Sequence, residues 1–200
     1  MVDKDPHFTQ DWWSHNIPVW KEIVLPRLPA RPNHILEIGC FEGMATKWMA
    51  ENIATDNKDR IIVVDTFEGS PEHESMGVRT DDLLEKFQHN LDIHKDKIMI
   101  FKGLSGVMLR STIFSKIGFD LIYVDGSHVA SDVLEDAVLA WRTLNYNGIM
   151  VFDDYGWDGG KDELDRPAIA IDLFKAIYSR QMEVLHEGYQ VIVQKKLRLI

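Results

Sequence analysis

Four stretches of this 200-residue chain place an acid where it could do chemistry. The first is Ile35-Leu36-Glu37-Ile38-Gly39-Cys40-Phe41-Glu42-Gly43. It starts as the short apolar run of a buried parallel strand, then breaks into a turn with glycine at both ends. A helical pattern follows over 44–53. A strand that runs into a glycine turn and then a helix is where open α/β sheets bind a cofactor. Gly39 permits a tight turn and keeps a Cβ out of the ligand's way. Glu37 can accept hydrogen bonds from a cationic or amine-bearing ligand. The second stretch, Ile61-Ile62-Val63-Val64-Asp65, is another buried strand, and its acid lies 22 residues after Gly43. From that tip a carboxylate can bind both hydroxyls of a ribose. The third and fourth are Phe119-Asp120-Leu121-Ile122-Tyr123-Val124-Asp125 and Ile149-Met150-Val151-Phe152-Asp153-Asp154, strands that end in one acid and in two.

The elements that must hold these residues can be read in order. Ser14 or Asn16 caps a short helix reaching Leu25, with Pro18 in its first turn. Trp20 is read as an anchor of this helix on the sheet, and Trp12 or Trp13 as a candidate lining of a substrate mouth. After Asp65, a polar loop over 66–74 begins with Thr66 and Phe67 on the cofactor side of the sheet. A helix is expected over 81–91, a strand over 97–101, and Gly103-Leu104-Ser105 at that strand's tip, with Ser105 also suited to cap a helix. Val133, Ala137, Trp141 and Leu144 recur at helical spacing over 130–144, and 145–148 reads as a turn. A polar loop follows over 155–165, with Trp157 and the pair Gly159-Gly160. Another helix is expected over 168–178. Runs 182–186 and 189–194, joined at Glu187-Gly188, read as a β-hairpin.

The glycine turn with Asp65 resembles motif I and the acidic motif of class I S-adenosylmethionine (SAM) methyltransferases. A nicotinamide enzyme fits less well, because Phe41 stands where a dinucleotide fingerprint needs glycine. The resemblance implies a Rossmann-like α/β fold: seven strands, mostly parallel, the last one antiparallel, with helices on both faces. It places Glu37, Gly39, Cys40, Phe41, Gly43, Asp65, Thr66, Phe67, Gly103, Leu104, Ser105 and Asp125 around the cofactor. It makes residues 1–33 a helical cover and 34–200 the methyltransferase domain. In such a fold the strands ending in Asp125 and in Asp153-Asp154 are neighbours, so three carboxylates meet beside the reacting methyl. Like charges that close raise at least one pKa unless a cation joins them. Oxygen donors suit Mg²⁺, with Mn²⁺ or Ca²⁺ as alternatives.

Asp125-Gly126-Ser127-His128, Phe152-Asp153-Asp154-Tyr155, Asp65-Thr66-Phe67-Glu68-Gly69 and Arg166-Pro167-Ala168-Ile169-Ala170-Ile171-Asp172 resemble the metal-dependent O-methyltransferases related to macrocin O-methyltransferase. The resemblance runs from about Ile35 to the C-terminus. It implies Asp125, Asp153 and Asp154 as ligands of Mg²⁺, and Asp125 as a proton acceptor. Ser127 departs from the pattern, since the sugar enzymes commonly carry an acid there. His128 remains open as a base, a metal ligand or a helix-entry residue. The implied reaction is transfer of a methyl group to a hydroxyl of a small molecule: a sugar, a diol or a catechol. Two other readings stay open, a non-catalytic SAM- or metal-binding module and an NAD-dependent oxidoreductase.

Composition narrows the partners. A net charge of −10 disfavours a phosphate backbone, so no nucleic acid is expected. A single cysteine, Cys40, excludes an internal disulfide, and its place in the turn suits a small residue near the cofactor. No apolar run is long enough to span a membrane, and the first ten residues lack a signal-peptide core, so a cytoplasmic setting is expected. A homo-oligomer is compatible with all of this.

Overall fold

In the computed structural model, the described residues are 5–30, 33–70, 73, 76–159, 162, 164 and 166–197. Of the expected loop residues, Pro71, Glu72, Glu74, Gly160, Lys161, Glu163 and Asp165 lie outside them. The strands are β1 (His34–Ile38), β2 (Arg60–Asp65), β3 (Ile98–Lys102), β4 (Phe119–Val124), β5 (Leu144–Phe152), β6 (Met182–Glu187) and β7 (Val191–Lys195). They form one sheet in the order β3-β2-β1-β4-β5-β7-β6. All pairings from β3 to β5 are parallel; β7 runs antiparallel to both its neighbours. This is the Rossmann-like arrangement with one reversed strand. Order reverses between β1 and β4, so the crevice at their carboxyl ends is where a ligand can enter the sheet.

Alternation along the strands makes two cores. Ile35, Ile61, Val63, Leu121, Tyr123, Ile149 and Val151 face one layer, with Trp13, Trp20, Met49 and Phe87. Leu36, Ile38, Ile62, Val64, Ile122, Val124, Met150 and Phe152 face the other, with Trp141 and Phe174. The first layer contains helices α1 (Met44–Asn52) and α2 (Leu83–Asn90) and the N-terminal turns at 14–27; the second contains α4 (Ala130–Trp141) and α5 (Pro167–Tyr178). Short helix α3 (Ser105–Met108) follows β3.

Three local expectations shift. The N-terminal helix is a series of short turns, 3-10, α, π and 3-10, rather than one α-helix. Asn16 sits within the first of them, and neither it nor Ser14 makes a side-chain cap. Helix α4 ends at Trp141, short of Leu144, which opens β5 and pairs with Phe119; Lys195 from β7 donates to the carbonyls of Trp141 and Leu144, each at 2.7 Å. A cation on those carbonyls satisfies a helix end. The expected turn at 145–148 is absorbed into β5 as an irregularity of the pairing with β4, with Asn147 at φ 63°.

Phe152 is fully buried and meets Phe174 at 5.3 Å between ring centres, holding the strand end that carries Asp153. Phe152→Ala is expected to lower unfolding free energy in urea by about 3–5 kcal/mol.

Candidate functional site

The carboxyl ends of β1, β2, β4 and β5 form the site. Gly39, at φ +79°, turns the chain directly against β4: a Cβ there would lie 2.0 Å from the Asp125 carbonyl oxygen. Gly39 N donates to Val64 O at 2.9 Å, and Asp125 N donates to Ile38 O at 2.8 Å. One glycine thus knots three strand tips together. Gly43, at φ +86°, opens α1 and packs on Phe87.

Inside this turn lies Glu37, with no exposed surface. Thr46 Oγ1 donates to its Oε2 at 2.5 Å. Its other oxygen, Oε1, is buried without a hydrogen-bond partner. Burial pushes the carboxyl up to about 8, with Thr46 opposing and Asp65 adding to the rise. An unpaired buried carboxylate beside a glycine turn asks for a cation or an amine. The ammonium of SAM is such a group, so these residues fit the cofactor.

Asp65 is held by the turn it was expected to serve. Its Oδ2 accepts from Cys40 N (2.7 Å) and Phe41 N (3.3 Å), and its Oδ1 from Phe67 N (2.7 Å). A carboxylate has about four lone-pair directions and three are taken, so acceptor capacity remains for at most one ribose hydroxyl. Cys40 is buried, and burial raises its thiol well above the ordinary value, as expected of a space-filling residue and not of a nucleophile. Thr66 is half-buried beside Asp65, and its Oγ1 accepts from Glu68 N. Gly103 N donates to Asp65 O at 2.8 Å, which brings the tip of β3 to the same end, with Leu104 exposed. Ser105 is the first residue of α3 and not its cap; Leu104 is the cap residue and makes no side-chain bond. The Ser105 hydroxyl pairs with buried Asp136, a carboxyl that burial raises to about 6. Phe41, Phe67 and Asp154 have positive φ of 49°, 54° and 58°, all on this end of the sheet. Such backbone costs about 1–3 kcal/mol per residue and concentrates where ligands are held.

The second cluster lies one strand away. Val124 pairs with Phe152, so Asp125 and Asp153 leave adjacent strands side by side. Asp153 Oδ2 accepts from Tyr123 OH and from Gln190 Nε2 (2.9 Å); its Oδ1 accepts from Asp154 N (2.8 Å). Asp154 Oδ1 accepts from Tyr189 OH at 2.9 Å, and its Oδ2 lies 2.9 Å from His128 Nε2. His128 also packs on Trp157 at 4.4 Å. Burial and then the charges of Asp153 and Asp154 raise Asp125 well above the carboxylate range. Burial and Asp154 raise Asp153 to about 6. Asp125 thus stands one strand over from the Asp153–Asp154 pair and is repelled by their charge. Among the described residues, no three His, Cys, Asp or Glu side chains stand in a metal-holding arrangement. The donor chemistry suits Mg²⁺, and a cation would cancel the repulsion.

Several residues here carried no sequence signal. Tyr123 could have been found, since it stands two positions before Asp125 and strand side chains alternate. Gln190, Tyr189 and Thr46 could not. Trp13 is buried in the core, whereas Trp12 is 41% exposed and packs on Phe41 and His73 at 5.0 and 5.5 Å. Glu42 accepts from Thr9 N and Oγ1 at 2.6 and 2.9 Å, tying the N-terminal segment to the glycine turn.

Comparison with known proteins adds the following. The sequence profile described as "Methyltransferase domain" matches residues 36–155. Uncharacterized protein R132 of Acanthamoeba polyphaga mimivirus is 28% identical over 122 residues, 60% of this chain. The match takes in 50% of that protein, so the chain spans about half the length of this relative. An O-methyltransferase from Bacillus cereus in complex with S-adenosylhomocysteine (SAH) superposes with a TM-score of 0.64 at 16% identity, over 94% of this chain and 84% of that one. MycE, a methyltransferase of the mycinamycin biosynthetic pathway in complex with Mg, SAH and mycinamycin VI, gives 0.64 at 16%, over 94% and 50%. A putative rRNA-methylase from Clostridium thermocellum gives 0.66 at 12%, over 96% and 99%. Identities this low carry the fold and not the acceptor. Among the described residues no helix is long and apolar enough to cross a membrane.

The raised Glu37 carboxyl has a testable sign. The folded protein binds this proton more tightly than the unfolded chain, so stability falls as pH rises from about 4.5 to about 8. Glu37→Gln should remove that fall, a gain on the order of a few kcal/mol at pH 8. In the wild-type protein, SAH should release protons on binding near pH 7, measured by calorimetry in buffers of different ionisation heat. Glu37→Gln should bind SAH more weakly and release none.

Proposed function

The chain belongs to the methyltransferase domain family, and from that premise we propose that it transfers a methyl group from SAM to a hydroxyl oxygen of a small molecule, assisted by a divalent cation. The observation that carries this reading is the contact of Gly39 with the Asp125 backbone. A cofactor seated on the glycine turn would lie beside the acid cluster, where an acceptor hydroxyl can be bound and deprotonated. Named relatives of the fold support the oxygen acceptor: one is an O-methyltransferase, and MycE was found with Mg and SAH.

When bound, SAM supplies an activated methyl on a sulfonium, so the protein needs to align and deprotonate rather than activate the donor. Glu37 would meet the ammonium, and Asp65 would accept from a ribose hydroxyl. Asp125 sits between turn and acid cluster and would take the hydroxyl proton once a bound cation offsets the burial and repulsion that hold its carboxyl protonated. Asp154 orients the His128 imidazole through their 2.9 Å contact, and Trp157 covers the other side of that ring. Tyr189, 44% exposed, borders the same carboxylate and offers an aromatic edge to the acceptor. A divalent cation held by Asp125, Asp153 and Asp154 would supply positive charge that lowers the pKa of a hydroxyl it touches. Two adjacent oxygens, as in a vicinal diol or a catechol, match that chemistry.

The direct test is label transfer from methyl-labelled SAM to a panel of sugars, diols and catechols, with mass spectrometry to locate the methyl. Transfer to oxygen is expected, abolished by chelation and restored by Mg²⁺. Full turnover by protein shown metal-free by elemental analysis would remove the cation from the reading. Asp65→Ala should weaken SAH binding by about 1.5–3 kcal/mol. Asp125→Asn should lower kcat by about 10²–10⁴-fold, since a positioned proton acceptor contributes that much. Its SAH affinity should change little.

A further inference from the structure

The N-terminal turns carry a polar connection that cofactor binding does not require. Trp20 is fully buried, and its indole Nε1–H donates to Gln190 Oε1 at 2.8 Å. Gln190 is 2% exposed and lies in the turn between β6 and β7. Its Nε2 donates to Asp153 Oδ2 at 2.9 Å. An indole N–H can only donate, so the carboxamide oxygen must face Trp20 and the NH₂ must face Asp153. The tryptophan therefore fixes which end of Gln190 meets the acid. Trp20 also reaches that acid by a second route. Its ring packs edge-on against Tyr123 at 5.3 Å, and the Tyr123 hydroxyl donates to the same Oδ2. Packing alone would be served as well by apolar side chains, because buried polar groups are costly unless fully paired.

We propose that Trp20 and Gln190 are positioning residues for the reaction, fixing the direction in which Asp153 presents its carboxylate to the acid cluster. The N-terminal turns, as well as the strand tips, then set the geometry at which cation and acceptor are held. This rests on the acid cluster being the reaction centre. Groups that hold a metal-ligating carboxylate from behind change affinity or activity by about 10–100-fold when removed.

The test separates positioning from support. Gln190→Met removes the amide and leaves the Trp20 N–H buried without an acceptor, so urea stability should drop. Adding Trp20→Phe removes that orphan but leaves a cavity, so the double variant is assayed only where its urea curve shows it fully folded. Mn²⁺ affinity by calorimetry and kcat with the best acceptor of the diol and catechol panel should stay about 10–100-fold down in the double variant. KM for SAM should stay near the wild-type value, since neither residue touches the cofactor turn. Wild-type affinity and kcat in the folded double variant would overturn the proposal. A wild-type protein that takes up no Mn²⁺ but turns over would sink the cation reading alone. The kcat of the double variant would then decide: loss at unchanged KM upholds the relay, and wild-type turnover ends it. A wild-type protein that neither binds Mn²⁺ nor turns over would remove the reaction centre and the relay with it.

Discussion

The close approach of Gly39 to the end of β4 governs this molecule. Backbone meets backbone there with no room for a Cβ, since one would stand 2.0 Å from the Asp125 carbonyl oxygen. Any other residue would have to push β1 and β4 apart at the point where the sheet order reverses. That crevice exists in every open α/β sheet; here the glycine brings its two sides into contact. Glu37 is buried below the turn, Asp65 grips its amides, and Asp125 leaves from its far side. In the proposed reaction, cofactor recognition and proton removal are adjacent because one residue lacks a side chain.

The site stores unfavourable electrostatics that a ligand can relieve. Glu37 keeps an unpaired oxygen with its carboxyl pushed up to about 8. Asp125 and Asp153 are raised by burial and by their neighbours' charge. Each would be an error in a protein that bound nothing, because unmatched buried acids cost stability. An ammonium at one place and a divalent cation at the other would lower both costs. On the proposed reading the two places are alike in physics and differ in the charge each would take.

Much of this could be read from the chain. Apolar runs closed by acids gave the strands, and the hairpin at the end gave the reversed β7, because a short turn cannot carry a parallel crossover. The five acids were visible because they interrupt apolar patterns at strand ends. Other features were hidden for definable reasons. Lys195 reaches the end of α4 from 54 residues away, and the Asn147 irregularity depends on pairing with β4, so neither is local. Ser105 looked like a cap, but its hydroxyl is taken by Asp136 from another helix. Gln190 lies in a hairpin turn and reads as an ordinary polar loop residue. Only the fold reveals that it is buried between a tryptophan and an acid.

The most direct check of this account is a comparison of two adenosine-bearing ligands on the wild-type protein. Calorimetric titration with SAH should give one site per chain and a rise in thermal stability, while NAD gives neither. Stoichiometric binding of NAD, or no heat and no stabilisation with SAH, would contradict the claim that the Gly39 turn is built for a sulfonium cofactor.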